Sequence, residues 1–205
     1  MSSNVGTNNI PWDKFAMIYM GAQKNLGTAG CTVMVIREDL FGHADKDIPI
    51  LCDWTLHENS PDTYYNTPAI FPMYITMLNM KYMNNNGLEH YIELAAIRSK
   101  MLNDCIKASN GYYKSKITDE QYQSQMNVIF RVQGGNLELE EKFMKEAKDA
   151  GIVQIRGHTF NPGIRISMYN AMPVQGVEYL CSFMDHFIAK YPAEPDSNVS
   201  QLSKL

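Results

Sequence analysis

Phe15-Ala16-Met17-Ile18-Tyr19-Met20-Gly21-Ala22-Gln23-Lys24-Asn25, followed after a Gly/Thr/Ala turn by Cys31-Thr32-Val33-Met34-Val35-Ile36, decides how this chain is read. Two short apolar runs flank a turn that carries a single lysine. Residues 15–20 read as a buried strand, and 31–36 as a second, β-branched and almost continuously apolar. Such a run suits a strand covered on both faces, as in a parallel or mixed α/β sheet. Lys24 then stands at the carboxyl end of a strand, where α/β sheets place their sites. Two readings are open for it: a partly desolvated amine able to form a Schiff base, or a surface lysine in a turn.

Outward from this pair, residues 37–40 read as a turn or short helix, and residues 42–66 as an irregular loop without periodicity. Thr67-Pro68 reads as the start of a helix over 68–83, broken by Gly87. Residues 88–108 form a long amphipathic pattern with Leu94, Ile97, Met101, Leu102, Cys105 and Ile106 on its apolar side, and Asn110-Gly111 closes it. Strands are expected at 126–132, 152–156 and 164–168, and helices at 137–150 and 174–190. That β-α-β-β-α order predicts a small α/β domain with helices packed on a sheet. Two strands and a long loop before residue 88 cannot bury their own faces, so that segment reads as the tail end of a larger sheet domain. Met73, Met77, Met80 and Met83 lie at helical spacing and read as core packing.

The 205 residues suffice for one large or two small domains, and 45 % apolar content allows a real core. The net charge of -4 and the lack of a basic stripe argue against nucleic-acid binding. Cys31, Cys52, Cys105 and Cys181 are too dispersed for a structural zinc cluster, and no metal site is expected; a reducing compartment fits them. No apolar run approaches a membrane span, and the first residues have neither the basic nor the apolar part of a signal peptide. A cytoplasmic location is expected. The alternative is peroxisomal, through the terminal Ser203-Lys204-Leu205, which matches a receptor-read address behind a polar tail.

Three further places offer chemistry. Asn66-Thr67, ahead of a helix start, suit either an anion site or ordinary capping. Arg165, within a predicted strand, needs a partner or a cleft, and its guanidinium matches a carboxylate; a surface-facing position is the alternative. His158 fits an anion contact or a structural role in a turn.

Taken together, Gly21-Ala22-Gln23-Lys24-Asn25, Val35-Ile36-Arg37-Glu38-Asp39-Leu40, Tyr65-Asn66-Thr67-Pro68, Met126-Asn127-Val128 and Arg165-Ile166-Ser167-Met168-Tyr169-Asn170-Ala171 resemble the phosphoserine aminotransferases, in their order and at their spacing. These are class-V, fold-type I enzymes dependent on pyridoxal 5'-phosphate. The resemblance runs from residue 1 to about residue 190 and corresponds to the C-terminal half to three-fifths of a full-length enzyme. It implies an α/β fold. Residues 1–88 become a remnant of the large mixed-sheet, cofactor-binding domain, 89–191 the small C-terminal domain, and 192–205 a polar tail.

The resemblance also implies roles. Lys24 corresponds to the lysine that binds the cofactor covalently and later moves a proton, and Gln23 to a contact of the cofactor phosphate. Asn66 and Thr67 correspond to residues that reach the cofactor phosphate of the neighbouring subunit, so a homodimer with its site at the subunit interface is expected. An aminotransferase protomer or an N-terminal half is the alternative partner. Arg165 corresponds to the clamp on the substrate α-carboxylate, and His158 to a residue near the substrate phosphate or side-chain carboxylate. The implied reaction is ping-pong: glutamate gives its amine, then 3-phosphohydroxypyruvate takes it.

The chain departs from the family pattern in two regions. The aspartate that pairs with the pyridine nitrogen corresponds to the position just ahead of Met1, with the ring-stacking aromatic residue further upstream; a truncated product is the expectation. Thr159 stands where an arginine follows the histidine, Gln125 replaces another arginine, and Pro162-Gly163 replaces a Gly-Gly pair. A phosphate loses charge-assisted donors there, which opens the reading of an unphosphorylated substrate. A non-catalytic partner of a full-length aminotransferase is the remaining alternative.

Overall fold

Alternation builds the central strand of the second half. In β4 (Asn127–Val132), Val128, Phe130 and Val132 are buried while Asn127, Ile129 and Arg131 are half-buried, so one face meets a core. The computed structural model describes residues 1–60 and 64–193. It divides into two compact units, Met1–Glu93 and the chain from Leu94 onward, and the division falls inside a helix.

In the second unit, β4 lies between β3 (Tyr113–Ser115) and β6 (Asn161–Ser167), and β6 pairs in turn with β5 (Arg156–His158). All neighbours are antiparallel. Helix α3 (Leu88–Ala108) beyond the division, α4 (Leu137–Asp149) and α5 (Val174–Lys190) supply Leu102, Ile106, Phe143, Ala147, Val177, Leu180, Met184 and Phe187 to one apolar core with Val128, Phe130 and Ile164. Phe143 is its hub. It packs edge-on against Phe130 (5.9 Å between centroids) and Phe187 (5.0 Å), pairs that add to the area they bury.

Helix α4 starts where Asn136 Oδ1 accepts from the Leu139 N–H at 3.2 Å. It ends at Gly151, whose φ of +83° turns the chain so that the Ile152 N–H donates back to the Ala147 carbonyl at 2.7 Å.

In the first unit, β1 (Met17–Gly21) pairs antiparallel with β2 (Thr32–Ile36), Met17 opposite Ile36. Ile18, Met20, Ala22 and Leu26 form a small core. The expected cover on both faces of β2 is not met within this unit, where Thr32 and Val35 are exposed. The expected loop at 42–66 contains helix α1 (Trp54–Glu58), which Asp53 caps by accepting from the Thr55 N–H at 3.0 Å.

Helix α2 (Ile70–Asn86) begins later than expected. Pro72, rather than Pro68, occupies its first turn, and its first hydrogen bond runs from the Met73 N–H to the Ala69 carbonyl. Of its expected core methionines only Met83 is buried; Met77 and Met80 are exposed.

Helix α3 keeps the expected bounds with its stripe rotated. Ile97 is exposed and Arg98 takes the buried place between Ala95 and Leu102.

Strand β5 falls later than the expected 152–156, because Gln154 at φ +61° interrupts the extended run. No helix among the described residues is long and apolar enough to cross a membrane.

Candidate active site

Lys24 sits in the β1–β2 connection, a loop clipped at its neck by the Ala22 N–H donating to the Cys31 carbonyl at 2.9 Å. Its neighbours are held on both sides. The Gly21 N–H donates to Ser2 Oγ at 2.9 Å. Buried Asn25 donates through Nδ2 to the Ser3 and Val5 carbonyls, both at 2.9 Å, and buried Leu26 anchors the loop to the small core. Gly27 lets the loop approach α2, since a Cβ there would lie 2.9 Å from Thr76 Oγ1. Gln23 and Lys24 are both exposed. Among the described residues the Lys24 amine has no hydrogen-bond or ion-pair partner. The turn therefore presents a free primary amine on a fixed base.

Asn66 and Thr67 lie in an exposed segment ahead of α2, and Ala69 precedes the helix without a side-chain cap. Thr67 is thus not the helix cap that the sequence led us to expect. Both side chains are left without a hydrogen bond among the described residues and stay available to an external acceptor.

In the second unit, β5 and β6 form a hairpin joined by Thr159 and Phe160, with His158 opposite Asn161. The Phe160 N–H donates to His158 Nδ1 at 3.3 Å, which leaves Nε2 carrying the proton, and the ring stacks on Phe160, itself 93 % exposed. Arg165 faces away from the helices, opposite Ile129 of β4. Its Nε is buried and has no hydrogen-bond partner. A buried guanidinium N–H without an acceptor is costly, and a carboxylate taken by the guanidinium fork offsets that cost.

Gly163 is the glycine this strand requires. Its φ is +126°, and a Cβ would lie 2.8 Å from the Phe130 carbonyl. Pro162 beside it is exposed, so the departure from a Gly-Gly pair falls on the position that tolerates it. Gln125 Oε1 is buried without a partner, and Thr159 is exposed in the hairpin turn.

Arg98 escaped the sequence reading. It is fully buried, and its Nη1 donates to the carbonyls of Met172 and Asn170 (3.4 Å for the latter), in the loop that leaves β6 after Arg165. Burial without an anionic partner lowers its pKa. The only sequence signal was a cation on the stripe between Ala95 and Leu102. The candidates thus fall into three places: Gln23 with Lys24 in one turn, Asn66 with Thr67 in one segment, and His158 with Arg165 in one hairpin. No cluster of His, Cys, Asp or Glu among the described residues is arranged to hold a metal.

The chain is 42 % identical over 192 residues to the phosphoserine aminotransferase of Lysinibacillus sphaericus and 38 % identical over 192 residues to that of Chromobacterium violaceum; each match covers 93 % of this chain and 52 % of the relative. Among solved structures, the phosphoserine aminotransferase of Bacillus circulans subsp. alkalophilus superposes with a TM-score of 0.85 at 34 % identity, over 93 % of this chain and 52 % of its own. The PLP-bound enzyme of Trichomonas vaginalis gives 0.82 at 30 %, over 90 % and 52 %. The chain spans about half the length of the curated relatives it matches. The family model for class-V aminotransferases matches residues 1–180, and the chain belongs to that family of pyridoxal-phosphate-dependent transaminases.

Proposed function

We propose that this chain provides the C-terminal half of a phosphoserine aminotransferase, moving the amino group of L-glutamate to 3-phosphohydroxypyruvate in serine biosynthesis. The observation that carries this reading is the Lys24 amine, exposed and unpartnered on a turn whose flanks are pinned. It fits the family's cofactor, pyridoxal 5'-phosphate, which needs a free lysine amine for attachment. Gln23 binds the cofactor phosphate from the same turn; Asn66 and Thr67 reach the phosphate of a partner subunit in a homodimer. When bound, the cofactor supplies the electron sink for charge developing at the substrate α-carbon. Arg165 holds the substrate α-carboxylate through its unpartnered guanidinium edge, and His158 offers Nε2–H to the distal anionic group. Lys24 Nζ removes and returns the proton at the α-carbon, general acid–base work for which it must be neutral when it takes the proton and carries it as the ammonium when it gives it back.

Borohydride reduction of the 205-residue chain with pyridoxal phosphate tests the assignment. A pyridoxyl adduct is expected on the peptide containing Lys24 and is expected to vanish in Lys24→Ala. An adduct spread equally over other lysines, unchanged in the variant, rejects it.

Gln125 and Thr159 bear on the substrate. An uncharged amide and a hydroxyl offer a phosphate less than two arginines do, so an unphosphorylated oxo acid is the competing substrate. Thr159→Arg is expected to favour the phosphorylated acid by about tenfold in kcat/KM, a single charge-assisted contact.

A non-catalytic role as partner of a full-length aminotransferase protomer, or association with an N-terminal half, draws support from the uncovered apolar surface of α2. There Ile70 is 67 % and Phe71 68 % exposed, and a groove of about 620 Å³ runs between α2 and β2, lined by Cys31, Val33, Met73, Met77 and Met80. A pull-down that recovers no aminotransferase protomer counts against it. We place the protein in the cytoplasm; the alternative address, Ser203-Lys204-Leu205, lies outside the described residues. A reporter fused ahead of residues 193–205 that stays diffuse removes that alternative.

A further inference from the structure

Two cations stand uncompensated on one face of the four-stranded sheet. Arg165 of β6 pairs in register with Ile129 of β4, on the face turned away from the helices. On the other side of β4, Ser115 of β3 pairs with Phe130. One step further the Lys116 N–H donates to the Ile129 carbonyl at 3.2 Å. Phe130 is buried in the core, so strand alternation puts Lys116 on the opposite face, beside Ile129 and in line with Arg165. Two strand spacings set the Lys116 and Arg165 backbones about 10 Å apart.

Lys116 is half-buried, and its Nζ donates to Asn161 Oδ1. Asn161 opens β6 and lies opposite His158 in the β5–β6 hairpin. Strand β4 separates β3 from β6, so this bond spans β4 and brings an ammonium to the hairpin that carries His158. Its partner is a neutral amide. Among the described residues no carboxylate pairs with Lys116 or with Arg165. Arg131 on the same face is different, since its guanidinium meets Glu140 at 2.6 Å. An ammonium that holds only a neutral acceptor keeps its remaining N–H donors and its full charge for an anion.

We propose that Lys116 is a further specificity-determining residue: with His158 it takes the distal anionic group of a substrate whose α-carboxylate Arg165 holds. This rests on the transaminase reading above and narrows its substrate class to a short acid with an anionic group at each end. Asn161 is a positioning residue, because it holds the ammonium at the hairpin without neutralising it. The His158 Nε2–H adds a donor beside it. Thr159 and Gln125 bring no charge there, and Lys116 supplies it. Phosphate and carboxylate both accept from an ammonium, so either fits as the distal group.

O-phospho-L-serine, L-glutamate and L-alanine are the probes, titrated into the full chain and followed by NMR at the His158 ring and the Arg165 guanidinium. The two dianions are expected to bind more tightly than L-alanine, which offers only the α-carboxylate. Lys116→Met is expected to weaken the dianions roughly tenfold and to leave L-alanine within a factor of about two. Lys116→Arg is expected to keep most of the affinity. Asn161→Asp is expected to act like Lys116→Met, because the new carboxylate pairs the ammonium internally. The dianion that loses more identifies the distal group as phosphate or carboxylate, and circular dichroism checks that each variant folds. Dianions that bind no more tightly than L-alanine overturn the proposal. So does a Lys116→Met chain whose dianion affinity is unchanged, or falls only as far as that for L-alanine. The Lys24 adduct is read separately, in the other unit. An adduct formed with no Lys116 effect removes the subsite and leaves the transaminase reading. A Lys116 effect without the adduct removes the cofactor role and leaves the dianion subsite.

Discussion

The side chain of Asn79, on α2, donates to the backbone carbonyl of Asn25 at 2.9 Å, tying that helix to the turn that carries Lys24. Asn25 itself donates to two carbonyls of the first five residues. The lysine is free because the residue after it is not. A nucleophilic amine held on an anchored turn keeps its geometry at low entropic cost.

Asn25→Ala removes both donors to the carbonyls of Ser3 and Val5. A loss of about 2 kcal/mol is expected from two part-buried hydrogen bonds removed together. Urea unfolding of the variant measures it. Borohydride trapping on Lys24 is expected to fall in step, because the turn loses its anchor.

Phe143→Ala deletes the ring around which Phe130 and Phe187 pack. The expected cost is about 3–5 kcal/mol, transfer energy plus a cavity that helices and sheet cannot fully close. The denaturation midpoint of the second unit reports it.

Arg98→Ala removes the hydrogen bonds that its guanidinium donates to the Asn170 and Met172 carbonyls and opens a void beside Leu102. A destabilisation of about 3 kcal/mol is expected, with Arg98→Lys restoring part of it through a single ammonium donor. Comparing the unfolding midpoints of the two variants checks the order.

Glu146 accepts from Lys190 and from the Tyr191 hydroxyl, and these hydrogen bonds hold its carboxyl below the ordinary 4.5. The folded value is the depressed one. Its stabilising contribution is therefore present above about pH 4.5 and disappears as pH falls through the folded value. Thermal melts from neutral to acid pH are expected to show Glu146→Gln losing stability at neutral pH and the gap to wild type closing in acid.

What the sequence determined alone is what local chemistry encodes. Alternating burial in β4, the Asn136 cap and Gly151 stop of α4 and the bounds of α3 each depend on residues within a few positions of one another. The candidate site was legible as residue types in order, with roles drawn from resemblance. The rest depended on partners far along the chain. Tyr113–Ser115 is too short to read as a strand without β4 beside it. The sequence offered Pro68 as the opening of α2, and the backbone starts it at Ile70 with Pro72 in its first turn. The seat expected for Ile97 went to Arg98 because two carbonyls more than seventy residues away accept from it. Nothing local leaves the Nε of Arg165 buried without a partner; its place in the paired sheet does.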